Sequence, residues 1–123
     1  MKRTILMTLL LLSVSAGIQA QFNQLPVLSP IGNQSVNEGY NLSFTISATD
    51  AESTPDLLAT GLHYGMSFTD SGNGTGFFNW TPCFLCSGAH QIIFKAVDDS
   101  GSVDSEIVTI TVNEIGNPPQ ILS

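Results

Sequence analysis

The chain reads as an all-β protein, an antiparallel sandwich of two sheets, and three observations carry that reading. Stretches of strict apolar–polar alternation recur along it. Turn-forming clusters separate them at intervals of roughly 8–12 residues. No window holds a helical period long enough to compete.

The elements follow in order. Asn37-Glu38-Gly39 separates a first strand from a second. Leu42, Phe44, Ile46 and Ala48 alternate with Ser43, Thr45, Ser47 and Thr49, which predicts a strand with apolar side chains inward and hydroxyls outward. Asp50 to Asp56, carrying Ser53-Thr54-Pro55, is a turn. Leu57 to Leu62 fits either a strand or one helical turn. Ser71-Gly72-Asn73-Gly74-Thr75-Gly76 is a tight glycine-rich connection leading to a short strand with Phe78 and Trp80, and Pro82 stops that strand. His90 to Val97 alternates again, with Ile92, Phe94 and Ala96 inward and Lys95 outward. Asp98-Asp99-Ser100-Gly101 turns the chain into a last strand over 106–112, with Val108, Ile110 and Val112 inward. About seven short strands so spaced form the pattern of an immunoglobulin-like, seven-stranded antiparallel β-sandwich. The Cys…Trp…Cys arrangement of antibody domains is absent.

Met1 to Ala20 carry the marks of a secretory signal peptide: Lys2 and Arg3, an apolar run from Ile5 to Leu12, small residues, and a cleavage site at Ile18-Gln19-Ala20. The run is shorter than the ~20 residues that a bilayer span needs. No cysteine follows the site to take a lipid. This predicts secretion or display at the cell surface. Residues 1–20 are then leader, 21–116 one sandwich module, and 117–123 a linker and the start of a following repeat. The last assignment rests on a self-match. Asn117-Pro118-Pro119-Gln120-Ile121-Leu122-Ser123 echoes Asn23-Gln24-Leu25-Pro26-Val27-Leu28-Ser29 at an offset of 94 residues. That period suits one sandwich followed by the first strand of another.

Loss of the leader leaves Lys95 as the sole basic side chain against ten acids, a net charge of 1 − 10 = −9. Nucleic acid and anionic membrane surfaces are thereby excluded as partners, because their phosphates would meet a single cation against ten acids. Cations remain as ligands.

Several segments together resemble a known family. They are Pro30-Ile31-Gly32-Asn33-Gln34-Ser35-Val36-Asn37-Glu38-Gly39, Phe44-Thr45-Ile46-Ser47-Ala48-Thr49-Asp50, Phe78-Asn79-Trp80-Thr81-Pro82, Ala96-Val97-Asp98-Asp99-Ser100-Gly101 and Val108-Thr109-Ile110-Thr111-Val112-Asn113-Glu114. In order and spacing they resemble the bacterial Ig repeats also described as dystroglycan-type cadherin-like domains, over residues 26 to 117. The resemblance implies a repeat of a large secreted or surface protein that adheres, spaces or binds as an accessory. It also implies that Trp80 is a core tryptophan.

Strand alternation places Asp50, Glu52, Asp98 and Asp99 at the end that would receive a preceding module. Glu38, Glu114 and Asn117 fall at the opposite end. Ca²⁺ takes six to eight oxygens, which such loops can supply. The resemblance adds that cadherins hold calcium at module junctions, near positions matching Glu38, Asp50, Glu52, Asp98 and Glu114. Three departures stand against it: the Glu114-Ile115-Gly116-Asn117-Pro118 stretch lacks an acid before Asn117, nothing near Asp70 supplies an Asp-x-Glu element, and with the leader removed the module is expected to have no predecessor to complete its upper site. Solvated turn acids that keep the protein soluble are the other reading.

Cys83-Phe84-Leu85-Cys86 is the one cysteine pair. A redox site would need it at a helix start, and zinc would need two further ligands from His63 and His90 alone. In an oxidising compartment the pair reads as a short local disulfide, with free thiols or a metal role as the alternatives. No nucleophile elbow is present. Tyr40, Tyr64, Phe68, Phe77 and Phe84 exceed what a small core holds, and exposed rings can stack on sugars. Two functions result. The first is a non-enzymatic adhesive or spacer module whose partners are neighbouring modules, other surface proteins or glycans. The second is a carbohydrate-binding accessory module of a secreted enzyme, which a row of exposed aromatics on one sheet face would favour.

Overall fold

The computed structural model describes residues 23–115. The leader and the repeat start at 117–123 lie outside them. Eight strand segments are present among the described residues: β1 (Val27–Leu28), β2 (Gln34–Asn37), β3 (Leu42–Thr49), β4 (Asp56–Thr60), β5 (Ser67–Asp70), β6 (Thr75–Trp80), β7 (Gly88–Val97) and β8 (Val103–Asn113). They form two four-stranded sheets, β1-β3-β6-β5 and β2-β8-β7-β4.

The strands predicted from alternation lie where expected. Of the ambiguous stretch Leu57 to Leu62, residues 57–60 form part of strand β4, paired antiparallel with β7, and the last two leave it. The first strand differs in one respect: it is divided. β1 pairs antiparallel with β3 in one sheet, and β2 pairs parallel with β8 in the other. Pro30 cannot donate to a ladder, and Gly32 takes φ 79°, so the chain leaves one sheet and enters the next at this point. Two inward carboxylates of β8 hold the crossing. Asp104 accepts from the amide of Leu28 at 2.7 Å, and Glu106 accepts from the amides of Ile31 and Gly32, each at 2.9 Å.

The core lies between the sheets. Phe78, Phe94, Ile92, Val108 and Ile110 are fully buried, and Trp80 is 1% exposed. Phe44 and Phe78 stack at 4.9 Å, while Phe94 meets Phe78 and Phe68 edge to face at 5.9 and 5.6 Å. Each such buried side chain contributes roughly 1.5–3 kcal/mol of transfer free energy. Gly76 opposes Ile46 across the ladder, and an added Cβ there would stand 2.5 Å from the Phe68 ring. The glycine therefore lets that ring reach the core.

Candidate functional site

The loops that carry chemistry gather at the two ends of the sandwich. At the N-terminal end the 50–55 loop, the 71–74 turn and the 98–102 turn converge, and the entering chain closes over them. Asp98 is the buried centre, 6% exposed. Its Oδ1 accepts from the amides of Ser100 and Ser102, both at 2.9 Å, and its Oδ2 accepts from Nδ2 of Asn23 at 2.9 Å. Burial raises the pKa of this carboxyl. The bonds from Asn23, Ser102 and Ser100 outweigh that and hold it below its ordinary value.

Asp50 stands beside Asp98. Its Oδ1 accepts from the Glu52 amide at 2.8 Å, while its Oδ2 is buried with no hydrogen-bond partner. Glu52 accepts from the Gln24 amide at 3.1 Å. Asp99 is exposed. The four acids expected at this end thus share it, but only Asp50 and Asp98 are brought together. Among the described residues no group of three or more His, Cys, Asp or Glu is arranged to hold a metal ion. The oxygens of Asp98 are committed to amides, so the donor set for Ca²⁺ is at best partial, and the orphan oxygen of Asp50 is the one feature that fits it.

The C-terminal end differs in chemistry. Glu38 is buried, 4% exposed, and its amide donates to the carbonyl of Asn113. Glu114 is exposed, and Asn117 lies outside the described residues. Cys83 and Cys86 are joined in a disulfide, their Cα atoms 5.1 Å apart. The loop it closes projects Phe84 and Leu85, and the Phe84 ring lies against Gly39, where a Cβ would come within 2.7 Å. His90 Nε2 is 2.7 Å from the carbonyl oxygen of Cys86, and the His90 ring meets both Trp80 and His63 edge to face. Both histidines are occupied in packing, and no serine or cysteine nucleophile is paired with either among the described hydrogen bonds.

The excess aromatics separate into groups. Phe68 turns inward to Phe94. Tyr40, Tyr64 and Phe84 are exposed on loops of the C-terminal end. Phe77 alone stands on a sheet face, between Thr45 and Thr69 of the neighbouring strands. Around it Ser43, Asn79 and Ser67 form the next row, so this outer face bears hydroxyls and amides without charge.

Asn23, Asp104 and Glu106 are the residues that sequence reasoning missed. Asp104 and Glu106 occupy alternate inward positions of a strand whose other inward residues are Val108, Ile110 and Val112. An acid at an inward register position is the signal that could have found them.

The sequence profile described as "Bacterial Ig domain" matches residues 23–111. With most of its length so matched, the chain belongs to the bacterial Ig domain family. No curated protein sequence matches it. Among solved structures it is similar to the SrpA adhesin of Streptococcus sanguinis, with TM-score 0.66 and 12% identity over 77% of this chain. It is similar to an endo-fucoidan hydrolase of glycoside hydrolase family 107, with TM-score 0.62 and 16% identity over 75% of this chain. It is also similar to the N-terminal Ig1-2 module of the Drosophila receptor protein tyrosine phosphatase DLAR, with TM-score 0.61 and 18% identity over 78%. The chain spans 60%, 14% and 53% of those three chains, so the shared part is a fold.

Proposed function

We propose that this is a non-enzymatic module of a secreted or surface protein, serving as an adhesive or spacer unit. One observation carries the reading: the functional side chains lie at the two ends, and the entering chain is tied into the first of them. Asn23 and Gln24 bond to Asp98 and Glu52 rather than lying free. With residues 1–20 removed as a leader, this clamp fixes the start of the mature chain onto the module, so the sandwich behaves as one rigid unit, which a spacer requires. The adhesin and the tandem Ig module among the similar structures support the same reading. Calcium belongs to it as a weak ligand of the Asp50–Asp98 end, supported by the orphan oxygen of Asp50.

Localisation tests the reading directly. Antibodies against residues 23–115 should label intact cells or find the protein in the medium, and the purified module should hydrolyse no polysaccharide. Confinement to the cytoplasm, or hydrolysis by the module alone, would overturn it.

A second reading, the carbohydrate-binding accessory module, is favoured by Phe77 on its uncharged sheet face and by the hydrolase among the similar structures. Its ligand would be a neutral glycan, since the acidic chain repels anionic ones. One ring offers a single stacking platform, not a row. Glycan binding that Phe77→Ala abolishes would favour this reading over the first.

A further inference from the structure

The outer face of the β2-β8-β7-β4 sheet is aliphatic at its centre. Register sets Leu58, Lys95 and Ser105 in one row across β4, β7 and β8. Asp56, Val97 and Val103 form the row on one side, and Thr60, Ile93 and Ile107 the row on the other. Leu58, Val103 and Ile107 are 48%, 49% and 59% exposed. Ile93 and Val97 are half-buried. An antiparallel sheet with one solvated face ordinarily alternates polar side chains there. Contiguous apolar side chains on such a face mark a contact surface.

The charges on this face are two. Lys95 is the sole Lys or Arg beyond the leader, and it sits in the middle of the aliphatic rows. Asp56 lies on the adjacent strand, diagonal to Lys95, at the ~7–8 Å spacing of diagonal neighbours. One cation and one anion side by side make the face self-complementary.

We propose that this face is a two-fold interface between two copies of the chain. A two-fold axis lying in the plane between the two faces, perpendicular to the line from Asp56 to Lys95 and passing between them, sets the lysine of each copy against the aspartate of the other. The same operation lays the aliphatic rows of the two copies together. Isologous contacts demand this reciprocity, and a face with a lone charge would fail it. The strands of this face, of 4, 11, 10 and 5 residues, cover about 480 Å² of sheet per copy at ~3.3 Å rise and ~4.8 Å spacing, below the ~1,200 Å² total at the lower end of specific interfaces. The dimer is therefore weak. The acidic surplus of each copy opposes association at long range, and salt screens it. Added salt thus relieves the general repulsion more than it weakens the two ion pairs. Both ends of each module stay free, so lateral pairing is compatible with modules joined in series.

Sedimentation of residues 21–123, which contain the whole described fold, tests the proposal across micromolar to millimolar concentrations. The parent should dimerise reversibly. Lys95→Asp and Asp56→Lys should each weaken the dimer at least about tenfold, because each variant sets like charges together. An equimolar mixture of those two variants should pair again, to within about threefold of the parent, since each then supplies the charge the other lacks. Rescue on mixing also shows that both variants are folded. Ile107→Asp should leave the chain monomeric with its thermal midpoint little changed. A parent that is monomeric throughout overturns the proposal, as does a dimer indifferent to both charge reversals, or single variants that fail to rescue one another.

Discussion

The side-chain amide of Asn23 donates to Oδ2 of Asp98 across 75 residues of sequence, at 2.9 Å. Two backbone amides serve the other oxygen of the same carboxylate. One acid therefore ties the chain's entry to the turn between β7 and β8. The bonds favour its ionised form, so the carboxyl titrates below its ordinary value near 3.8 in the fold. The sign follows from linkage. A depressed folded pKa means the unfolded chain binds the proton more readily, so the contribution is complete above the ordinary value and is lost as pH falls below it. Asp98→Asn removes the titration. Chemical denaturation at neutral pH and near pH 3 should show a smaller acid loss in the variant than in the parent. Equal losses would remove Asp98 from the acid limb of the stability curve.

Trp80→Ala should destabilise the module by roughly 3–5 kcal/mol, as aromatic truncations in cores do. The indole is 1% exposed, inward on β6 two residues beyond Phe78. It also backs the His90 ring, with centroids 5.1 Å apart. The cost would combine lost burial with a cavity that the neighbouring strands cannot close. Denaturant unfolding measures it. A loss under about 1 kcal/mol would mean the site collapses with little penalty, against what close-packed cores show.

What the sequence disclosed and what it concealed divide on a physical line. Leu42 to Thr49, His90 to Val97 and 106–112 announced themselves because alternation is a property of the strand alone. The two ends were legible for the same reason: successive strands reverse, so alternate loops share an end. Leu57 to Leu62 stayed ambiguous because a short apolar run suits two periods, and pairing with β7 decides between them. The divided first strand was hidden because Pro30 and Gly32 by themselves signal only a break, while the acids that hold the crossing, Asp104 and Glu106, lie far along the chain. Which acids meet was hidden too. Asp99 and Glu52 flank Asp98 and Asp50 in sequence, yet Asp99 faces solvent and Glu52 accepts from the entering Gln24 amide, which only the fold decides.

Glu106→Ala should cost about 2 kcal/mol. Its two oxygens accept from Ile31 and Gly32, and each amide would lose a charged partner where the chain crosses between sheets. Solvent can reach Gly32, which keeps the loss from doubling. Unfolding free energies check the magnitude, and amide exchange checks the mechanism. Protection at residues 31 and 32 should fall while protection across β3 and β6 holds. Uniform loss of protection, or a cost under about 0.5 kcal/mol, would mean that the crossing is held by the backbone ladders alone.

The Asp50 carboxylate is the unresolved charge of the N-terminal end. One oxygen caps the Glu52 amide, and the other is buried without a donor, beside Asp98. Two remedies exist for such an oxygen: a cation or an amide hydrogen. Asn at position 50 keeps the acceptor toward Glu52 and supplies an N–H toward Asp98, so Asp50→Asn should stabilise the module by about 1 kcal/mol in chelator. Calcium should do the same for the parent alone. With a dissociation constant of about 10⁻⁴–10⁻³ M, as in extracellular modules, a tenfold excess adds about 1.4 kcal/mol. Melting curves of both proteins, each with millimolar Ca²⁺ and with chelator, separate the ideas. A parent with equal midpoints in the two buffers sinks calcium at this end. A variant less stable than the parent in chelator sinks the account of the orphan oxygen, and the acid then serves the Glu52 turn and solubility alone.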